Sequence, residues 1–155
     1  MTENNPIPNE VAITMQYIKD LSLEIPHAPQ IFTKTATPPQ IGVDLNIDTA
    51  DLGDNNYEVT LNLKTNANIE KDPLFILELS YSAVCMAKLP PEQLEQFLLI
   101  EIPGLLFPYA RQIITSNLSA AGLPPLMLSP VDFAALYRAK KAQKQKAETK
   151  EEKAN

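Results

Sequence analysis

The sequence predicts an α+β fold, a four-stranded antiparallel sheet followed by helices, and three observations predict it. Four stretches before residue 88 alternate apolar and polar side chains with period two. After Pro90-Pro91 the apolar residues fall at helical spacing instead, and near residue 129 a further helix start is written in capping residues. At 155 residues and 45% hydrophobic content, the chain can bury one core.

In the first stretch Ile13, Met15, Tyr17, Leu21, Leu23 and Ile25 fall on one side, interrupted only by Lys19. Thr14, Gln16, Asp20, Ser22 and Glu24 fall on the other. One polar face marks a half-buried antiparallel strand. Residues 26–39 hold four prolines and read as a crossover loop, too long for a hairpin. Ile41, Val43, Leu45 and Ile47 then alternate with Gly42, Asp44, Asn46 and Asp48. Alternation resumes beyond the turn-forming Asp51-Leu52-Gly53-Asp54-Asn55-Asn56, with Tyr57, Val59, Leu61, Leu63, Ala67 and Ile69, so these two runs read as a hairpin. After Glu70-Lys71-Asp72-Pro73, the odd positions Phe75 to Cys85 are apolar. The even face is mixed, carrying Leu74, Ile76, Glu78, Ser80 and Ser82. Four strands in succession suggest a meander with a long first connection.

Pro90-Pro91 opens a helix bearing Leu94, Phe97, Leu98 and Ile102, with Leu99 and Ile100 widening its stripe, and Pro103-Gly104 interrupts it. From Pro108 a second helix carries Tyr109, Ala110, Ile113, Ile114, Leu118 and Ala121, and Gly122 is placed to end it. A helical region that is apolar on more than one side lies between two layers, within one chain or between copies. With four strands per chain, another copy more readily supplies the second layer. Leu123-Pro124-Pro125-Leu126-Met127-Leu128 is extended and proline-stiffened. Ser129-Pro130-Val131-Asp132 has the form of a capping box, opening a helix with Phe133, Leu136 and Tyr137 on one stripe. Beyond Arg138 no stripe continues, which fits a frayed helix or a disordered tail.

The charge is unevenly spread. The net charge is -6 and the pI 4.8, which argues against nucleic acid as the main partner. From Arg138 onward, seven basic residues face three acidic ones, a net +4; the remaining 6 basic and 16 acidic residues give the body -10. The inventory for catalysis is thin. His27 sits in the rigid Pro26-His27-Ala28-Pro29, and Cys85 lies in an apolar run where cysteine usually packs as a small hydrophobe. A Cys85–His27 nucleophile pair and an Asp44–Asp48 carboxylate pair are the remaining enzymatic arrangements, and solvated or packed side chains are the commoner fate of each. No zinc-ligand spacing is present, and Gly42, Gly53, Gly104 and Gly122 are too scattered for a phosphate-binding loop. No cofactor or metal is expected. A single cysteine favours a reducing compartment, so a cytoplasmic protein is expected. The longest unbroken apolar runs, 83–87 and 133–137, fall far short of the roughly 20 residues of a membrane span. The first six residues, Met-Thr-Glu-Asn-Asn-Pro, lack the basic and apolar features of a secretion signal.

Two stretches resemble a known family. Leu106-Phe107-Pro108-Tyr109-Ala110-Arg111 and the run Leu123-Pro124-Pro125-Leu126-Met127-Leu128-Ser129-Pro130-Val131-Asp132-Phe133-Ala134-Ala135-Leu136-Tyr137 look like the signature of SecB, the bacterial protein-export chaperone family. Tyr17-Ile18-Lys19-Asp20-Leu21-Ser22-Leu23-Glu24-Ile25-Pro26-His27-Ala28-Pro29 is similar to the family's N-terminal strand. The resemblance spans residues 13–140 and implies one chaperone domain there, with a flexible segment at 1–12 and a basic, disordered tail at 141–155. It also implies a long helix packed on one face of the sheet, a shorter C-terminal helix, and a homotetramer built as a dimer of dimers.

The resemblance further implies an ATP-independent holdase. It would bind unfolded precursor proteins in apolar grooves and deliver them to the SecA translocase motor, with no nucleic acid bound and no membrane insertion. SecA-binding residues carry over to Asp20, Glu24, Ile76 and Glu78, all on polar or mixed strand faces. The apolar inventory places the groove between the crossover loop and the C-terminal helix, with Phe32, Leu126, Phe133, Leu136 and Tyr137 as candidates for its lining. The sequence departs from the family at Ala36, often tryptophan, at Ser80-Tyr81-Ser82-Ala83, usually rich in Gln and Gly, and at Gln112, commonly acidic. The departure at Ala36 makes an interaction scaffold without client binding the alternative reading.

Overall fold

The computed structural model describes residues 10–34 and 37–154. Their order is β1 (Val11–Glu24), a 3-10 turn (Gln30–Thr33), β2 (Gln40–Gly53), β3 (Asn56–Ile69), β4 (Asp72–Ala87), a long helix α1 (Pro91–Ala120) and a C-terminal helix α2 (Phe133–Ala154). Residues 1–9 of the expected N-terminal segment and the departure at Ala36 lie outside the described residues, while Val11 and Ala12 already belong to β1.

The strand order is β1-β4-β3-β2, antiparallel throughout. Only β2, β3 and β4 form a meander. The proline-rich connection carries the chain across the sheet, so β1 pairs with β4 at the opposite edge from β2. Asp54 and Asn55 make the two-residue loop between β2 and β3 at φ 53° and 60°. Consecutive positive φ values match the twist of the flanking strands, and short polar side chains tolerate them best after glycine.

Simple alternation fails in β1. The register against β4 shifts between Ile13 and Met15 and again between Ile18 and Asp20. Each bulge inserts one extra residue, Thr14 and then Lys19, and turns the following side chains over. Between the bulges Met15 and Tyr17 oppose Val84 and Ser82 on the outer, polar face, while Gln16 and Ile18 oppose Ala83 and Tyr81 on the inner face. Met15 and Tyr17 therefore do not share a face with Ile13, Leu21 and Leu23.

The inner face is the core. Val59, Leu61, Leu63, Leu77, Leu79, Ala83 and Cys85 are buried there beneath α1, which contributes Leu98, Ile102, Leu106, Ala110, Ile114 and Leu118 as a stripe of four-residue steps. The helix is continuous where the sequence suggested an interruption. Pro103 enters just after a π-type turn (Phe97–Glu101), where the hydrogen-bond pattern is already shifted. Pro108 removes only the donor to the carbonyl of Gly104, an exposed residue whose carbonyl water can reach. The helix is long and apolar enough to cross a membrane, with mean hydropathy 1.3 over its best window, although no single apolar run is long; 44% of that window is buried inside this protomer.

Gly122, at φ 78°, ends α1 as expected, with Leu123 N–H donating back to Leu118 O at 3.0 Å. The start of α2 is shifted. Asp132, not Ser129, is the cap, its Oδ1 accepting from Ala135 N–H at 2.9 Å. The helix then runs through Ala154, across the stretch expected to be a tail. Ala, Lys, Gln and Glu are all strong helix formers, so the segment holds helical geometry without a buried stripe.

Among the described residues, one buried side-chain group is unsatisfied. Thr65, fully buried on the inner face, has a side-chain hydroxyl without a hydrogen-bond partner. Thr65→Val removes that hydroxyl at nearly constant shape and is expected to stabilise the fold by about 1 kcal/mol. The urea midpoint should rise; a fall would show that the hydroxyl is satisfied in solution.

Candidate functional site

Two surfaces on opposite sides of the sheet carry the polar and apolar features. On the outer side, register brings the four predicted docking residues together. Glu24 lies opposite Ile76, Ser22 opposite Glu78 and Asp20 opposite Ser80, so Asp20, Glu24, Ile76 and Glu78 share one face at the β1–β4 junction. Paired residues of an antiparallel ladder point the same way, which is why alternation alone could place them. Glu78 also meets Lys64 on β3 at 3.2 Å. Ile76 is half-buried among these charges.

The acidic surface continues across the sheet. Asp44 and Asp48 sit on the same face of β2, and Asp48 accepts from the Asn62 amide at 2.7 Å. Asn62 in turn accepts from the Ser80 hydroxyl at 2.6 Å. Asp48 is thus held in an amide network, and Asp44 is a strand-face acid four residues before it on the same side. Deeper in, Tyr17 donates to Glu58, and Lys19 Nζ lies 2.6 Å from the other Glu58 oxygen. The Lys19 ammonium, followed by the Tyr17 hydroxyl, holds the Glu58 carboxyl below the usual carboxylate range. The Lys19 bulge is what reaches this acid.

A depressed folded-state pKa means that Glu58 stabilises the fold fully above its ordinary titration range. That contribution is lost as pH falls through the folded-state value. Glu58→Gln is therefore expected to lower stability at pH 7 and to flatten the loss between about pH 5 and pH 3. Denaturation midpoints across that window check this, and parallel curves for the two proteins would contradict it.

On the inner side, an apolar groove of about 290 Å³ opens between the β2 edge and the C-terminal helix. Leu45 and Ile47 of β2 form one side, Glu95 and Leu99 of α1 another. Leu136, Tyr137, Lys140, Lys141 and Lys144 of α2 close the third. Ile41 and Val43 extend the apolar strip of β2 beyond the groove, 54% and 48% exposed. From Ile41 to Ile47 the strip is about 20 Å long.

Of the five predicted lining residues, Leu136 and Tyr137 are in this groove. Phe133 is buried one turn earlier, its ring edge-on to Phe107 at 6.1 Å. Leu126 is half-buried in the extended segment, its carbonyl accepting from the Thr115 hydroxyl at 3.0 Å. Phe32 is exposed in the 3-10 turn and does not line this groove, which is bounded by the β2 edge where the sequence suggested the crossover loop. Leu45, Ile47 and Leu99 were not among the expected lining. The inner-face alternation of β2 was visible, but nothing in the sequence placed α2 against that edge.

Cys85 is fully buried beneath α1, 3.6 Å from the Tyr57 carbonyl oxygen, and burial pushes its thiol up from the ordinary range. His27 lies at an exposed turn, so the two do not form a nucleophile pair. Among the described residues, no group of three His, Cys, Asp or Glu could hold a metal ion.

A family model described as "Preprotein translocase subunit SecB" matches residues 3–144. Protein-export protein SecB of Paramagnetospirillum magneticum is 46% identical over 143 residues, covering 92% of each chain. The protein of the same name from Bradyrhizobium sp. is 44% identical over 132 residues, covering 84% of this chain and 82% of that one. Among solved structures, a SecB-like chaperone of Mycobacterium tuberculosis, in complex with a ChAD peptide from an antitoxin, superposes with a TM-score of 0.64 at 15% identity. That likeness covers 78% of this chain and 90% of that chain and concerns the fold. The chain belongs to the SecB family and is a protein-export chaperone rather than an enzyme.

Proposed function

We propose that the protein is an ATP-independent holdase that keeps precursor proteins unfolded in the cytoplasm and passes them to the SecA motor. The observation that supports it best is the groove between β2 and α2, floored by apolar side chains and open to solvent. A non-native segment would place its apolar side chains on Leu45, Ile47, Leu99, Leu136 and Tyr137. Burial contributes about 25 cal/mol per Å² of apolar surface, and such contacts read no particular sequence. Folded proteins offer no matching segment.

One groove binds weakly. A dimer of dimers would present four, and a single long client spanning several gains effective concentration at each. The outer face of α1 suits such assembly: Leu105 and Tyr109, four residues apart, are 53% and 55% exposed. Motor docking is assigned to Asp20, Glu24, Ile76 and Glu78 on the other side of the sheet.

The direct test is refolding of a denatured precursor without nucleotide. Stoichiometric oligomer is expected to slow refolding markedly. Ile47→Asp, which puts an anion on the groove floor, is expected to weaken that hold by about tenfold, since a charge in an apolar contact costs over 1 kcal/mol. Unimpeded refolding in the presence of the intact protein would reject the holdase reading.

A further inference from the structure

Resting on the docking assignment above, we infer that Lys19 and Glu58 are positioning residues for the docking face: their ion pair fastens the bulge that puts Asp20 and Glu24 on the same side as Ile76 and Glu78. In a regular strand, residues two apart share a side. Ile18 opposes Tyr81 on the inner face, yet Asp20 opposes Ser80 on the outer one, and Lys19 is the residue inserted between them. Without the insertion the ladder would run on from Ile18. Asp20 would then lie opposite Leu79 and Glu24 opposite Phe75, both buried on the inner face. Both carboxylates of β1 would leave the outer side.

Apolar burial fixes this register only in part. The bulge turns Leu21 and Leu23 inward, but both are half-buried in the protomer, and the inserted residue is left out of the ladder. The fastening is polar and reaches two strands away. Tyr17 and Lys19, on either side of Ile18, extend past β4 and take the two oxygens of Glu58 on β3. The Tyr17 hydroxyl donates to one, and Lys19 Nζ lies 2.6 Å from the other. The Glu58 side chain is 16% exposed, so the anion is shielded from water. Asp48 on β2 also attracts the ammonium. Lys19, Asp20, Asp48 and Glu58 line one outer-face depression of about 260 Å³, so the fastening adjoins the first docking residue. The earlier bulge at Thr14 has no such reach: its hydroxyl donates to the adjacent Val84 carbonyl at 3.1 Å.

Motor affinity separates position from charge, because the two predict opposite signs. Lys19→Ala makes the outer face more acidic, so charge alone predicts tighter docking, whereas loss of the fastening predicts weaker docking. Affinity of the SecA motor for the intact oligomer is expected to fall about fivefold in Lys19→Ala, with precursor holding unchanged. It should recover in Lys19→Arg, a cation of similar reach. Lys19→Gln, which keeps the stem, carries the same contrast if the alanine variant does not fold. Glu58→Gln releases the pair from β3, and hydrogen exchange at residues 20–24 should quicken in this variant and in Lys19→Ala. Docking as tight as the parent's, or tighter, in the folded Lys19 variants overturns the inference alone. An equal loss of precursor holding in a folded variant marks a general structural role and also overturns it. If Glu24→Lys/Glu78→Lys docks like the parent, the docking assignment fails and the inference falls with it.

Discussion

Replacing Glu24 and Glu78 together by lysine is expected to cut affinity for the SecA motor by at least about tenfold and to leave precursor holding unchanged. Each partly exposed charge contact contributes up to about 1 kcal/mol, and reversal converts attraction into repulsion, so two sites together exceed 1.4 kcal/mol. At position 78 the effect is compounded, because Lys64 sits 3.2 Å from the native carboxylate and would face a second cation. Added salt should narrow the difference between variant and parent. Client holding is the internal control, since the groove lies beneath the inner face and shares no residue with the docking set. Motor affinity and refolding delay, measured on the same preparation, decide the matter. Parallel loss of both would show that the two faces are wrongly assigned.

Leu105→Glu is expected to split the proposed dimer of dimers, lowering the mass seen by light scattering by about half. Leu105 is 53% exposed in the protomer, so the substitution leaves the core beneath α1 intact. Beside it the half-exposed Tyr109 is stacked on Tyr81 of the sheet, ring centroids 6.4 Å apart, so Leu105 and Tyr109 offer an apolar patch on the exposed flank of the helix. Burying an ionised carboxylate against a sister patch costs several kcal/mol per copy unless it finds a partner. An unchanged mass with an unchanged melting temperature would place the assembly surface elsewhere. Precursor holding should weaken with the mass, because fewer grooves then act on one client.

Much of this architecture is legible in the alternation itself. Leu61, Leu63, Leu77 and Leu79 face the helix because residues two apart share a side, and the same rule places Glu24, Ile76 and Glu78 outward. What the pattern hides is any inserted residue. Thr14 and Lys19 look like ordinary members of the first strand, yet each resets the face of its successors, so Tyr17 reaches Glu58 on the outer side. Strand order is equally silent, because β1 could pair with β2 or β4 with the same polarity of faces. Pro103-Gly104 suggested a break because local propensity opposes a helix there; packing of Ile102 and Leu106 on the sheet overrides it. The groove was half visible: Leu136 and Tyr137 follow from their shared stripe, whereas Leu45, Ile47 and Leu99 join them only through a contact distant in sequence.

The pairing of the first strand with the fourth has a consequence for handover. It sets the acidic junction at one border of the sheet and the greasy trough at the other, on reverse sides. If the proposed docking and groove assignments hold, translocase and passenger would share no residue, which leaves room for a three-body intermediate. Release would then be a transfer by mass action, the proposed motor drawing on the freed end of a polypeptide still tethered at its remaining grooves.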